Sequence, residues 1–143
     1  MVAYLEVREL LELKALELAR PHLDPARLKS MLQLNQGEAL DNSLHEYLLE
    51  CADNPYLQEF FQRSGQYYSA LFNYAAPATR MRRTMAAQHR GILEALIEER
   101  WEDAAAALSH HVRSQRAIVG KLVSSLRRDG AGEHAVVAEG ERP

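Results

Sequence analysis

Six histidines occur in the chain, and three of them fall where helical spacing puts apolar neighbours. Asp41, Leu44, His45, Leu48 and Ala52 recur at i, i+3, i+4 and i+7, as one face of a helix requires. Met81, Met85, His89, Ile92 and Leu96 repeat the pattern, and Ala104, Ala107, Leu108, His111, Gln115, Ile118 and Leu122 extend it along a third segment. A single histidine on such a face is ordinarily a satisfied core residue. Three together, with an aspartate one turn from one of them, call for a compensating charge, because an unpaired buried carboxylate costs several kcal/mol or more. A divalent cation supplies that charge. Neighbouring positions i and i+4 make Asp41 and His45 a sound ligand pair, and imidazole with carboxylate suits zinc first, with nickel, manganese, cobalt or iron as alternatives. The expected metal ligands are therefore Asp41, His45, His89 and His111. His110 has the weaker stripe, His22 follows Pro21 in a connection, and His134 falls near the C-terminus; all three are expected to face solvent.

The elements that must carry these residues are all helical. Ala, Leu, Glu, Arg and Gln dominate, and no strand alternation is bounded by turn signals. Six helices are expected, over about 3–20, 25–34, 38–52, 55–74, 77–98 and 101–128. Asp24-Pro25 and Asn54-Pro55 each read as an N-cap followed by proline at the first helical position. Asn35-Gln36-Gly37 closes the second helix, with Gly37 expected to turn left-handed. The length suits one domain over 1–129, with 130–143 expected as a flexible tail behind Gly130 and Gly132.

The formal net charge of −3 argues against nucleic-acid binding by bulk positive charge. The single cysteine, Cys51, excludes an internal disulfide. Neither a signal peptide nor a membrane-spanning stretch is read, so the expectation is a cytoplasmic protein.

The segments "VRELLELKALELA" (7–19), "LDNSLHEYLLECADNPYL" (40–57), "QHRGILEALIE" (88–98) and "AAAALSHHV" (104–112) resemble the C-terminal effector-binding (FCD) domain of GntR-type transcription regulators, FadR subfamily. The order and spacing of these short motifs carry the resemblance, with His89 and His111 standing 22 positions apart. It implies an antiparallel all-α bundle of six to seven helices around a central metal and effector cavity. It also implies a divalent metal on one Asp and three His, a small carboxylate effector, and a homodimer, which a surplus of aromatics at Tyr67, Tyr68, Phe72 and Tyr74 supports. Leu44 departs from the usual aromatic at its position. Glu99-Arg100 replaces a common Gly-Asp, so that turn must be capped differently.

Arg8, on the stripe Tyr4, Arg8, Leu11, Ala15, Leu18, is the expected fork onto the effector carboxylate; the plainer reading is an ion pair with Glu12. Asn54 and Gln115 are further effector-binding candidates, although capping alone accounts for Asn54. Arg80, Arg82 and Arg83 read as a solvated basic face. The winged-helix DNA-binding domain implied by the resemblance is absent from this chain, which is expected to sense an organic acid and to meet DNA only through that domain. No enzymatic role is expected. The alternative, a metal-dependent hydrolase, lacks a spare base among the stripes around the four ligands.

Overall fold

A computed structural model describes residues 2–39, 41–75 and 78–138, with side chains omitted at 73–75 and 132–138. Six helices carry the described chain: α1 (Val2–Ala19), α2 (Pro25–Leu34), α3 (Ser43–Ala52), α4 (Pro55–Ala75), α5 (Thr79–Ile97) and α6 (Trp101–Ala138). No strand occurs among the described residues, and a 3-10 turn over Arg20–His22 follows α1. Pro77 and residue 40 lie outside the described residues.

Both cap-plus-proline signals are realised. The Asp24 side chain accepts from the Ala26 N–H at 2.9 Å, and the Asn54 Oδ1 accepts from the N–H groups of Tyr56 and Leu57 at 3.0 and 3.2 Å. The substituted turn after α5 is a Schellman closure on a non-glycine residue. Glu99 sits at φ 56°, its N–H donates to Leu96 O at 3.2 Å, and the Arg100 N–H donates to Ala95 O at 2.8 Å. The link to α6 is therefore very short, which makes α5 and α6 antiparallel neighbours.

Three boundaries differ from the sequence reading. Gly37 has no positive φ; the left-handed residues among those described are Asp53 and Glu99. Instead, the buried Asn35 ends α2, and its side chain takes over the closure by donating to Met31 O at 2.9 Å. α3 begins at Ser43, so Asp41 precedes the helix and accepts from the Ser43 N–H at 3.2 Å, in the way carboxylates satisfy helix starts. α6 runs past Gly130 and Gly132 to Ala138; each glycine costs a helix only about 1 kcal/mol.

One apolar cluster fills the bundle, with Leu5 and Leu16 of α1, Leu44 and Leu48 of α3, Ile92 and Leu96 of α5, and Leu108 and Val112 of α6 among its members. Each such side chain contributes about 1.5–3 kcal/mol on burial. Ala104 is fully buried, and its small side chain lets α6 approach closely. α4 is held less tightly: Leu57 and Phe72 are its buried apolar side chains among the described residues. Between α1, α3 and α4 lies a cavity of about 540 Å³.

Candidate metal and effector site

α3, α5 and α6 bring His45, His89 and His111 together in the core, at 6%, 5% and 0% exposure. The Nε2 atoms of His45 and His89 lie 3.1 Å apart, and those of His89 and His111 lie 3.0 Å apart. One ring nitrogen from each histidine falls within 4.8 Å of the other two. These helices form because their apolar residues recur at helical spacing, and the histidines arrive inward as members of those same stripes.

The partners behind the rings fix which nitrogen carries a proton. His45 Nδ1 faces Glu12 Oε2 at 2.5 Å, and a carboxylate only accepts, so Nδ1 donates. The Asn35 Nδ2 donates to Met31 O and to Asp41 Oδ2 at 2.9 and 3.1 Å, both acceptors, which orients the amide. Its Oδ1 therefore meets His89 Nδ1 at 3.1 Å, and His89 donates there too. His111 Nδ1 donates to Gln88 Oε1 at 2.7 Å. On its other side, Gln115 is oriented by Arg8, whose Nη1 donates to Gln115 Oε1 at 2.9 Å; Gln115 Nε2 then donates to His111 Nε2, also at 2.9 Å. The Nε2 atoms of His45 and His89 thus present free lone pairs to one hollow, while the single Nε2 lone pair of His111, on the same hollow, accepts from Gln115 and meets an ion only once that amide turns away.

Lone pairs facing one another at this distance repel unless a cation lies between them. Protonation is a poor remedy here. Burial, and then the nearby His45, push His89 down to about 3; burial, His45 and His89 push His111 down to about 2. A tetrahedral ion with nitrogen ligands at about 2.0–2.1 Å has ligand edges of about 3.3 Å, close to the spacing seen. The donor set therefore fits a divalent metal, with each ring oriented from behind by an oxygen acceptor, as metal-binding histidines usually are.

Asp41 is placed differently from its sequence expectation. Off the helix, it no longer shares an i, i+4 face with His45. Its carboxylate accepts from Ser43 Oγ at 2.5 Å and from Asn35, and it is outside the close cluster of three histidine nitrogens. It still acts on the site, since its charge favours the protonated form of His89. His110 and His22 are exposed, as expected, and the side chain of His134 lies outside the described residues.

Glu12 is what the stripes missed. It is 3% exposed, bonded to His45 Nδ1 and to Arg8 Nε, each at 2.5 Å. Burial raises its pKa, but the His45 and Arg8 partners outweigh this and hold it well below the usual carboxylate range. The expected stripe through Arg8 includes Leu11 and Leu18; the buried face instead runs Leu5, Arg8, Glu12, Ala15, Leu16, Ala19. Arg8-x-x-x-Glu12 was the available signal, read only as an ion pair. Glu12 supplies the carboxylate that the sequence argument against catalysis found lacking. Its two oxygens are engaged by Arg8 and by the Nδ1 side of His45, so it faces away from the three convergent Nε2 atoms. Asn35 and Gln88 were missed as well, Asn35 because it read as a turn residue.

Arg8, Glu12, His45 and Tyr68 line the cavity, joining it to the histidine cluster. The Arg8 guanidinium lies 4.8 Å from the Tyr68 ring centroid, and Tyr68 donates its hydroxyl to Gln115 Oε1. Burial pushes the Tyr68 hydroxyl far up, so it stays a donor. Arg8 thus makes the ion pair with Glu12 that is its plainer reading, and it also lines the cavity. Gln115, 1% exposed, touches Arg8 and His111 at once. Asn54 is not among the cavity-lining residues, its side chain being spent on the start of α4. Of the basic trio, Arg83 pairs with Glu38 and Arg82 with Thr79.

The family model described as FCD domain matches residues 3–114. No curated protein and no solved structure matches the chain.

Proposed function

As the chain belongs to the FCD domain family, the C-terminal effector-binding domain of GntR-type regulators, we propose that it senses a small carboxylate through a divalent metal held by His45, His89 and His111. FCD domains are regulatory effector-binding domains rather than enzymes. The observation that carries the metal reading is the convergence of three unprotonated Nε2 atoms, each fixed by an acceptor behind its ring. Asp41 is the proposed fourth ligand; binding would exchange one of its bonds to Asn35 or Ser43 for the ion. Zinc is the proposed metal, because imidazole with one carboxylate suits it.

The ion supplies an electrophilic position for a carboxylate oxygen. The chain's own residues do the rest. Arg8 Nη2, which bonds no other side chain among the described residues, is the guanidinium edge that meets the ligand. Tyr68 and Glu12 hold that guanidinium in place, and Gln115 ties it to His111. The ordering this imposes on α1, α4 and α6 is the signal passed to a DNA-binding partner domain. Placement in the FadR subfamily is part of the same proposal and rests on the resemblance carried by residues 7–19, 40–57, 88–98 and 104–112. Tyr56 and Tyr67, at 82% and 76% exposure on α4, favour self-association as a homodimer. No helix of the described residues is long and apolar enough to cross a membrane.

Elemental analysis of the purified protein should find about one divalent metal per chain, and a thermal-shift screen of organic acids should find hits that weaken after chelation. Hits that are uniformly neutral or cationic, or an acid response untouched by chelation, would sink the reading.

A further inference from the structure

The cavity is charged unevenly along its depth. Its buried end holds Arg8, Glu12 and His45. At its exposed end α3 presents Glu46 and Glu50, one turn apart, and α4 presents Gln58, Gln62 and Gln66 at i, i+4 and i+8. Among the described residues that line it, one guanidinium stands against three carboxylates, which leaves the lining two charges negative. Glu50 is shared with Arg27, at 3.3 and 3.4 Å. Glu46 meets the Asn42 amide at 3.4 Å and no cation among the described residues. Counted with Arg27 on Glu50 and with Asp41 as a ligand, a divalent ion at the histidines would bring the whole to neutrality and leave no surplus for a ligand with two negative ends. Glutamates accept hydrogen bonds and cannot donate; the glutamine amides do both.

From this distribution we infer that the effector is a monocarboxylate whose far end is rich in hydrogen-bond donors, hydroxyls or an ammonium, and is not a dianion. The inference rests on the proposed sensing of a carboxylate and narrows it. The carboxylate goes to the buried end, where Arg8 lies. The far end reaches Glu46 and the α4 glutamines, where a second carboxylate would meet like charge, a juxtaposition that interfaces penalise strongly.

Matched five-carbon probes test it on metal-loaded protein by calorimetric titration: ribonate, 5-aminopentanoate, glutarate, pentanoate and ribitol. Ribonate or 5-aminopentanoate should bind at least about tenfold tighter than glutarate and pentanoate, and the better of the two tells whether hydroxyls or an ammonium are read. Glu46→Gln, an exposed change outside the metal cluster, should narrow the preference over glutarate several-fold, and Gln62→Leu should weaken ribonate while leaving pentanoate unchanged. Glutarate binding best, or a preference that Glu46→Gln leaves intact, overturns the inference while leaving carboxylate sensing in place. Ribitol binding as well as ribonate removes the carboxylate reading itself, and silence from all five removes both.

Discussion

The histidine cluster and the α4 wall of the cavity are built on opposite principles. At the cluster the polar side chains are bonded and, but for the half-buried Gln88, buried: Glu12, Asn35 and Gln88 behind the rings, Gln115 between His111 and Arg8. Along α4, Gln62, Gln66 and Ser69 border the same cavity exposed, and few apolar side chains pin the helix down. A buried network fully satisfied is rigid, and a change in one member is felt by all. A wall of solvated side chains on a loosely held helix adjusts cheaply and belongs to the low-stability end of a fold. A sensor needs both: a fixed point at which to hold one end of a ligand, and a surface able to reorganise around the remainder.

The sharpest way to break this contrast is at the fixed point. His89→Ala should lower metal affinity more than about 100-fold, since outer partners alone are worth 10–100-fold. Elemental analysis after dialysis checks it, and full occupancy in the variant would disprove the assignment. Glu12→Gln keeps the shape but removes the charge that Arg8 and His45 share. Breaking one partner of a buried pair costs about 3–5 kcal/mol, to be read by urea unfolding; a loss within 1 kcal/mol, on the order of a surface substitution, would place Glu12 with the adjustable wall.

Acid should attack the cluster next. His89 and His111 are held neutral in the fold, far below the ordinary histidine value of about 6.5, so the unfolded chain takes up protons first as pH falls. Their contribution is fully present above about pH 6.5 and is lost as pH drops toward about 3. Each histidine then costs about 1.4 kcal/mol per pH unit. Chelated protein should melt progressively lower between about pH 6.5 and about pH 4.5, and a flat profile there would mean that the rings are not held neutral. On the other side of the comparison, Gln66→Ala should change stability by no more than about 0.5 kcal/mol, as exposed positions usually do. A larger loss would show that the wall is as rigid as the cluster.

Much of the fold was legible because the signals are local. Asp24-Pro25 and Asn54-Pro55 start helices through the chain's own next residues, and the three apolar stripes are periodic however the helices pack. His45, His89, His111 and Gln115 were legible for the same reason, since a buried stripe carries its polar members inward. Two kinds of feature were not. Asp41 looked like a helical residue because it keeps i+4 spacing with His45; whether a helix starts before or after such a residue turns on a cap competition with Ser43 that periodicity does not see. Glu12 and Asn35 owe their roles to partners 33 and 54 positions away, and no single segment of sequence announces a contact of that kind.

Asn35 joins two tasks in a single amide. The same side chain that ends α2 by bonding Met31 O also accepts the hydrogen bond of His89 Nδ1, and it holds Asp41 by its other N–H. His89 therefore has its Nδ1 acceptor only while the connection between α2 and α3 is closed around Asn35, so the end of one helix and the orientation of a ring on another are a single structural unit, and a change at Asn35 reaches both.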